Sequence, residues 1–426
     1  MTINALYKLF LECSAVSTDT RKINPGDLFF ALKGDNFNGN TFANKALELG
    51  AKYVVIDEKE FKTSNNHILV EDCLKSLQDL ATHHRQTLKT PIIALTGSNG
   101  KTTTKELIKA VLSEKYSVTA TKGNLNNHIG VPLTLLDIKP DTDIAIVEMG
   151  ANHHKEIAFL CNIALPDFGL ITNFGKAHLE GFGSLEGVVK AKSELYDHLK
   201  KYNKIIFFNE DDKTQTKQIG DYNNACSFGS SSKNTKITFI ASEPFVALEY
   251  MSERINSHLI GQYNFNNIAV AIAVGKYFKV PKTAIKQAIE SYVPSNNRSQ
   301  IIKTASNQVL LDAYNANPTS MMAALENFAN LNYKNKTLIL GDMFELGDNA
   351  LNEHQHIVSF LEKQNDITAI VVGEHFSKTK ASSANMLAFK TYADLANHLK
   401  ETPLKNRYIL IKGSRGMALE RALDVL

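Results

Sequence analysis

Apolar and polar positions change their rhythm several times along the chain. Up to about residue 88, short strand-like runs (Asp27–Leu32, Tyr53–Ile56, His67–Val70) alternate with stretches whose apolar residues recur every three or four positions (Thr41–Leu49, Cys73–Thr87). A new unit opens at Pro91. There IIALTG is a continuous apolar run, the pattern of a strand buried on both faces, and KTTTKELIKAVLSEK after it has helical period. Further runs of the buried type follow at Asp143–Glu148, Gly169–Asn173 and Lys204–Asn209, and helices near Asn264–Phe278 and Lys282–Tyr292 close the unit. A third unit starts near Ser295, with strands expected at Val309–Asp312, Thr337–Leu340, Ala369–Val372 and Tyr408–Ile411. Strands alternating with helices imply mostly parallel sheets covered on both faces. The expected fold is therefore α/β in three domains. Residues 1–88 form a small α/β domain, residues 89–294 a central domain with a mostly parallel sheet, and residues 295–426 a Rossmann-like α/β domain.

Length agrees, since 426 residues exceed what one compact core holds. The composition is that of a soluble globular protein, with 43% hydrophobic and 21% charged residues. A net charge of +3 argues against nucleic acid or a membrane surface as partner. Cys13, Cys73, Cys161 and Cys226 are far apart and make no CxxC pair, which fits a reducing cytoplasm. The N-terminal apolar stretch lacks a signal-peptide layout, and no run is long enough to span a bilayer.

Candidate chemistry begins at TGSNGKTTT, Thr96 to Thr104, between a buried strand and a helix. Gly97 and Gly100 allow a phosphate close to the backbone, and the amides from Asn99 to Thr103 precede or open a helix whose N-terminus favours an anion. Lys101 supplies positive charge and Thr102 a hydroxyl for Mg²⁺. Only Ser98 and Asn99 separate Gly97 from Gly100-Lys101, where an ordinary Walker loop has four residues. The competing reading is a glycine-rich turn before a capped helix. Glu148 ends the strand in DIAIVEMGAN, and Asn173 and His178 follow the next one. Ligands of doubly wound sheets sit at such carboxyl ends, and a carboxylate beside a threonine and phosphate suits Mg²⁺. GNLNNHIGVP, holding Asn124, Asn126 and Asn127, reads by itself as a polar turn, and Lys190 and Lys192 in KAKSELY as solvated helix lysines.

In these motifs and their order the chain resembles the Mur ligase family, which carries a GxxGKT loop of this shorter kind. The resemblance runs nearly the whole length and implies more than spacing does. It makes Lys101, Glu148, His178 and Lys192 catalytic, and Thr102, Glu148, His178 and Lys192 the ligands of two Mg²⁺, with Lys192 carbamylated. Nucleotide contacts are then Gly97, Asn99, Gly100, Lys101, Thr102, Thr103, Asn267, Arg298 and Asp312, with Asn267 at the adenine and Arg298 reaching the phosphates from the domain junction. Precursor contacts are Thr18, Thr20 and Arg21, for a uridine diphosphate, and Asn124, Asn126 and Asn127, facing a muramoyl peptide. Tyr263 and Asn40 stand where the family commonly has histidines, and Asn264 otherwise reads as a helix cap.

LLDAYNANPTSM and LILGDMFELG point within the family to members that add D-alanyl-D-alanine to UDP-N-acetylmuramoyl-tripeptide. Tyr314, Asn315, Asn317 and Glu345 belong to these motifs, and Lys412 and Arg415 of IKGSRGMALE are candidates for an acceptor carboxylate. The implied activity is ATP-dependent amide formation through an acyl phosphate, by a cytoplasmic monomer. The rival readings are another Mur-type or folylpolyglutamate-type ligase, and a nucleotide-binding switch. Whether the third peptide residue is diaminopimelate or lysine stays open.

Overall fold

The computed structural model describes residues 1–381 and 385–426. Three sheets organise the chain, with one further short hairpin at Lys33–Gly34 and Phe37–Asn38. The first has four parallel strands in the order Val16–Ser17, Leu28–Phe30, Tyr53–Ile56, His67–Leu69. The amphipathic helix Cys73–Thr87, as read from its periodicity, turns Cys73, Leu77, Leu80 and Ala81 inward. Its other contacts reach the central unit: Gln78 Nε2 donates to His128 O at 3.0 Å, and Arg85 pairs with Asp167 at 2.6 Å.

The central sheet has nine strands, from Glu253–Asn256 at one edge through Phe168–Ile171, Ile92–Thr96 and Ile144–Glu148 to Val118–Ala120 at the other. All five residues of Ile92–Thr96 are buried, and they alternate between two cores. Ile92 and Ala94 pack on one face, Ile93 and Leu95 on the other, as period-two geometry requires of a doubly covered strand. Helix Lys101–Ser113 lays Leu107, Ile108, Val111 and Leu112 on the second face, beside helix Asn264–Tyr277. The strands expected here are present, shortened or shifted by a residue or two. The antiparallel edge strands Ala247–Tyr250 and Glu253–Asn256 were not expected, because polar residues break their short apolar runs.

The third sheet runs Gln300–Lys303, Gln308–Asp312, Tyr408–Lys412, Lys336–Gly341, Ile367–Val372, Met386–Phe389, parallel except at Gln300–Lys303. Asn317 caps helix Pro318–Asn330, accepting the Ser320 N–H in a full capping box with Pro318 first in the helix. One capping expectation is corrected. Asn264 is the first residue of its helix rather than its cap; its side chain donates to Ile260 O at 2.8 Å and accepts from Asn267 Nδ2 at 2.8 Å.

Candidate active site

The carboxyl ends of the central strands open on a cavity of about 1170 Å³ that all three units line. At its floor lies the loop Gly97–Gly100, which needs glycine at both ends. Gly97 has φ 147°, and a Cβ there would stand 1.9 Å from Thr172 Oγ1; Gly100 has φ 78°, and its Cβ would meet Asn267 Oδ1 at 2.5 Å. Neighbouring chain fixes the residues between. Asn173 Oδ1 accepts the Asn99 N–H at 3.0 Å, Thr172 Oγ1 donates to Asn99 O at 2.6 Å, and Ser98 Oγ donates to Gly175 O at 2.8 Å. Helix Lys101–Ser113 begins without a side-chain cap, so its first N–H groups face the cavity as an anion site. The Lys101 ammonium folds back onto Gly97 O at 2.6 Å, and burial pushes its pKa down. Asn99, Gly100, Thr102 and Thr103 line the cavity, while Gly97 lies behind the loop.

Glu148 is 1% exposed. Its Oε1 accepts from Asn126 Nδ2 at 2.8 Å, and its Oε2 is buried with no partner. A buried carboxylate oxygen left over is costly unless something positive meets it, so the donor set fits a divalent cation. Among the described residues no group of three or more His, Cys, Asp or Glu side chains could hold a metal unaided. His178, at φ 52°, lines the same cavity and places Nδ1 2.5 Å from Glu345 Oε2 of the third unit; that contact draws the Glu345 pKa down. Lys192, 1% exposed, lies behind the wall. Its ammonium donates to Ala151 O at 3.0 Å and sits 5.1 Å over the Phe182 ring. Burial, and after it the Lys101 charge, push its pKa well down. Lys190 on the same helix is exposed.

The segment after the phosphate loop's helix contributes Asn124, Asn126 and Asn127. The polar-turn reading also holds, since Asn127 Oδ1 accepts the N–H groups of Ile129 and Gly130. Asn267 lines the cavity, with its amide committed to Asn264 and to the Thr104 hydroxyl under Gly100.

From the third unit, Asn317 Nδ2 donates to Asn99 Oδ1 at 2.7 Å, and Arg298 stacks its guanidinium 3.7 Å over the Tyr314 ring. Tyr314 and Asn315 line the cavity. Asp312 accepts from Ser299 N at 3.1 Å and from Lys412 Nζ at 2.6 Å. Lys412 lines the cavity, 3% exposed and paired with Asp312. Arg415 lies outside the cavity, exposed and paired with Glu420 at 2.7 Å; Glu345 too is held outside it. In the same third-unit motif, Asp342 receives the His375 and Phe376 N–H groups.

Thr18, Thr20 and Arg21 are not brought to this cavity. Arg21 is exposed, with its guanidinium on Asp19 at 2.8 Å. Asn40 is fully buried, bonded to Asp57 in both directions. Several lining residues escaped the sequence reading, among them Lys155, Phe159 and Leu160 after the Glu148 strand. Leu74 and Gln78 project from a helix whose period indicated only packing, and Thr319, whose hydroxyl accepts the Lys176 N–H at 2.8 Å, follows the DAYNANP motif.

Three family models match consecutive stretches: the Mur ligase family catalytic domain at residues 12–85, the middle domain at 95–275 and the glutamate ligase domain at 297–415. The chain belongs to the Mur ligase family. Among curated relatives, the UDP-N-acetylmuramoyl-tripeptide--D-alanyl-D-alanine ligase of Bacillus subtilis is 36% identical, over 96% of this chain and 92% of that one. The ligase of the same name from Escherichia coli is 34% identical, over 98% and 94%. Among solved structures, MurF from Acinetobacter baumannii superposes with a TM-score of 0.87 at 28% identity, covering 99% of this chain and 98% of that one. MurF ligase from Thermotoga maritima in complex with ADP gives 0.83 at 27% identity, over 98% and 97%. No helix among the described residues is long and apolar enough to cross a membrane.

Proposed function

We propose that this Mur ligase joins the terminal carboxylate of UDP-N-acetylmuramoyl-tripeptide to the amine of D-alanyl-D-alanine at the expense of ATP, in peptidoglycan precursor synthesis in the cytoplasm. The observation that carries it is the single cavity on which the phosphate loop, Glu148 and the Tyr314–Asn317 segment converge. Residues 1–88 take the uridine-diphosphate end of the precursor, through Thr18, Thr20 and Arg21. Residues 89–294 hold ATP. Residues 295–426 bring the dipeptide and complete the nucleotide site with Arg298 and Asp312. The enzyme works as a monomer.

A carboxylate does not acylate an amine unaided. Its oxygen first attacks the γ-phosphorus of ATP, giving an acyl phosphate and ADP. The neutral amine then attacks the carbonyl carbon, and the tetrahedral intermediate expels inorganic phosphate and leaves an amide. Lys101 leaves the Gly97 carbonyl for the phosphoryl oxygens, where a cation offsets charge spread over the transferring group. Arg298, delivered from the domain junction, adds a second cation. Asn317 on Asn99 holds the third unit against the phosphate loop, which orders the reactants and keeps water from the acyl phosphate. Thr102, Glu148, His178 and a carbamate on Lys192 would hold two Mg²⁺, which when bound would supply positive charge to the phosphate oxygens. Lys192 suits carbamylation because burial favours its neutral amine, the form that adds to CO₂ with loss of one proton.

Incubation with ATP, tripeptide precursor and dipeptide tests this reading. Mass spectrometry should find the pentapeptide precursor and ADP in equal amounts, and no product when D-alanine replaces the dipeptide. Product from the single amino acid would favour another ligase of the family.

A further inference from the structure

Three lysines line the cavity, and their surroundings differ. Lys101 bends onto the Gly97 carbonyl, and Lys412 is paired with Asp312. Lys155 is exposed there, and its ammonium has no partner among the described residues. Its backbone is left-handed, with φ 69°, a conformation that persists at a side-chain-bearing residue only where the surroundings over-determine it. They do so here. Glu194 Oε1 accepts the Lys155 N–H at 2.7 Å and its Oε2 the Ala158 N–H at 3.0 Å. Glu156 Oε2 accepts the Asn152 and His153 N–H groups at 2.7 and 3.0 Å, and Lys192 holds Ala151 O. Three side chains thus lock this turn, and the residue at its end presents a free cation to the cavity.

The turn stands beside the reacting centre. The His154 ring meets Phe182 edge-on at 5.7 Å, His178 lies 6.3 Å from the same ring, and the Lys192 ammonium 5.1 Å. Beyond Lys155 the wall continues as Phe159 and Leu160, with Leu74 from the first unit, a surface suited to a methylene chain.

We propose that Lys155 binds a carboxylate at the far end of the third peptide residue's side chain, so that the preferred precursor ends in diaminopimelate rather than lysine. This rests on the ligase reading. The third residue carries the reacting carboxylate, so its side chain starts at the centre just described and runs along the adjoining wall. A lysine there would bring only an ammonium towards Lys155, whereas diaminopimelate carries a carboxylate beside its ammonium and offers that carboxylate to the cation.

Steady-state kinetics with each purified tripeptide precursor, at saturating ATP and dipeptide, tests the proposal. The wild-type kcat/KM should favour the diaminopimelate precursor by about tenfold or more, the scale of one charge-assisted hydrogen bond. Lys155→Gly removes the charge with a residue suited to φ 69°, so the fold is kept. It should raise KM for the diaminopimelate precursor about tenfold, with kcat unchanged, and abolish the preference, while Lys155→Arg retains it. An equal rise in KM for both precursors would mean that Lys155 meets a group they share, and would overturn the proposal alone. So would a wild-type preference for the lysine precursor. No turnover with either would overturn the ligase reading as well.

Discussion

Replacing Gly97 by alanine tests the phosphate-loop geometry at its tightest point. The new Cβ would lie 1.9 Å from Thr172 Oγ1, 3.0 Å from Thr172 N and 3.1 Å from Thr172 Cβ. Rotation of the threonine clears the first overlap only by giving up its 2.6 Å bond to Asn99 O, a loss of about 0.5–1.5 kcal/mol. Holding alanine at φ 147° costs a further 1–3 kcal/mol or so. Together about 1.5–4.5 kcal/mol is set against the loop's conformation, equivalent to roughly 10- to 2,000-fold in nucleotide affinity if binding requires that conformation. Calorimetric titration with a non-hydrolysable ATP analogue reads this directly, and circular dichroism checks that the fold is intact. Thr172→Ala alone should weaken binding by about 1 kcal/mol, and the double variant by less than the sum of the two, because the hydroxyl overlap is gone. Wild-type affinity for Gly97→Ala, or strictly additive losses in the cycle, would mean that Gly97 and Thr172 do not set the loop's conformation.

Lys101→Ala should leave the fold intact and lower turnover by about 3–4 kcal/mol of transition-state stabilisation, roughly two to three orders of magnitude, measured as initial rates with all three substrates. Lys192→Ala should lose most activity, with partial recovery on adding a small carboxylate, while exposed Lys190→Ala stays near wild type. Carbon-13 NMR of the bicarbonate-treated enzyme should show a carbamate that Lys192→Ala lacks; an unmodified Lys192 in fully active enzyme would contradict it. The third unit should loosen in acid through His354, which is fully buried, accepts the Met343 N–H at 3.0 Å through Nε2 and contacts Ala350 O at 2.6 Å through Nδ1. Burial holds its folded pKa below the ordinary value. The unfolded chain therefore binds the extra proton, and stability that is whole above about pH 6.5 falls as pH drops through it. Hydrogen exchange at Met343 should then show increased opening below that pH, and unchanged protection down to pH 5 would rule this out.

What was legible in the sequence follows from how local each signal is. The buried strand Ile92–Thr96 and helix Cys73–Thr87 announce themselves within their own residues, and the carboxyl ends of successive strands place Glu148 and His178 near Lys101. Edge strands with polar interruptions, such as Glu253–Asn256, carry little periodicity and were missed. Partnerships between distant segments were also illegible. Nothing near Lys412 shows that Asp312 takes its charge, and nothing near Asn317 shows that it meets Asn99. Lys192 was an ordinary helix lysine until the family resemblance singled it out, since its burial depends on a sheet and a loop far away in sequence.

The central claim is that the precursor's own carboxylate attacks ATP within this cavity. It is tested by labelling both oxygens of that carboxylate with oxygen-18 and following the label during one round of synthesis with ATP and D-alanyl-D-alanine. Each phosphate released should carry one labelled oxygen and each new amide should keep the other. Unlabelled phosphate, formed at the same rate with or without precursor, would contradict it and leave a nucleotide hydrolase in its place.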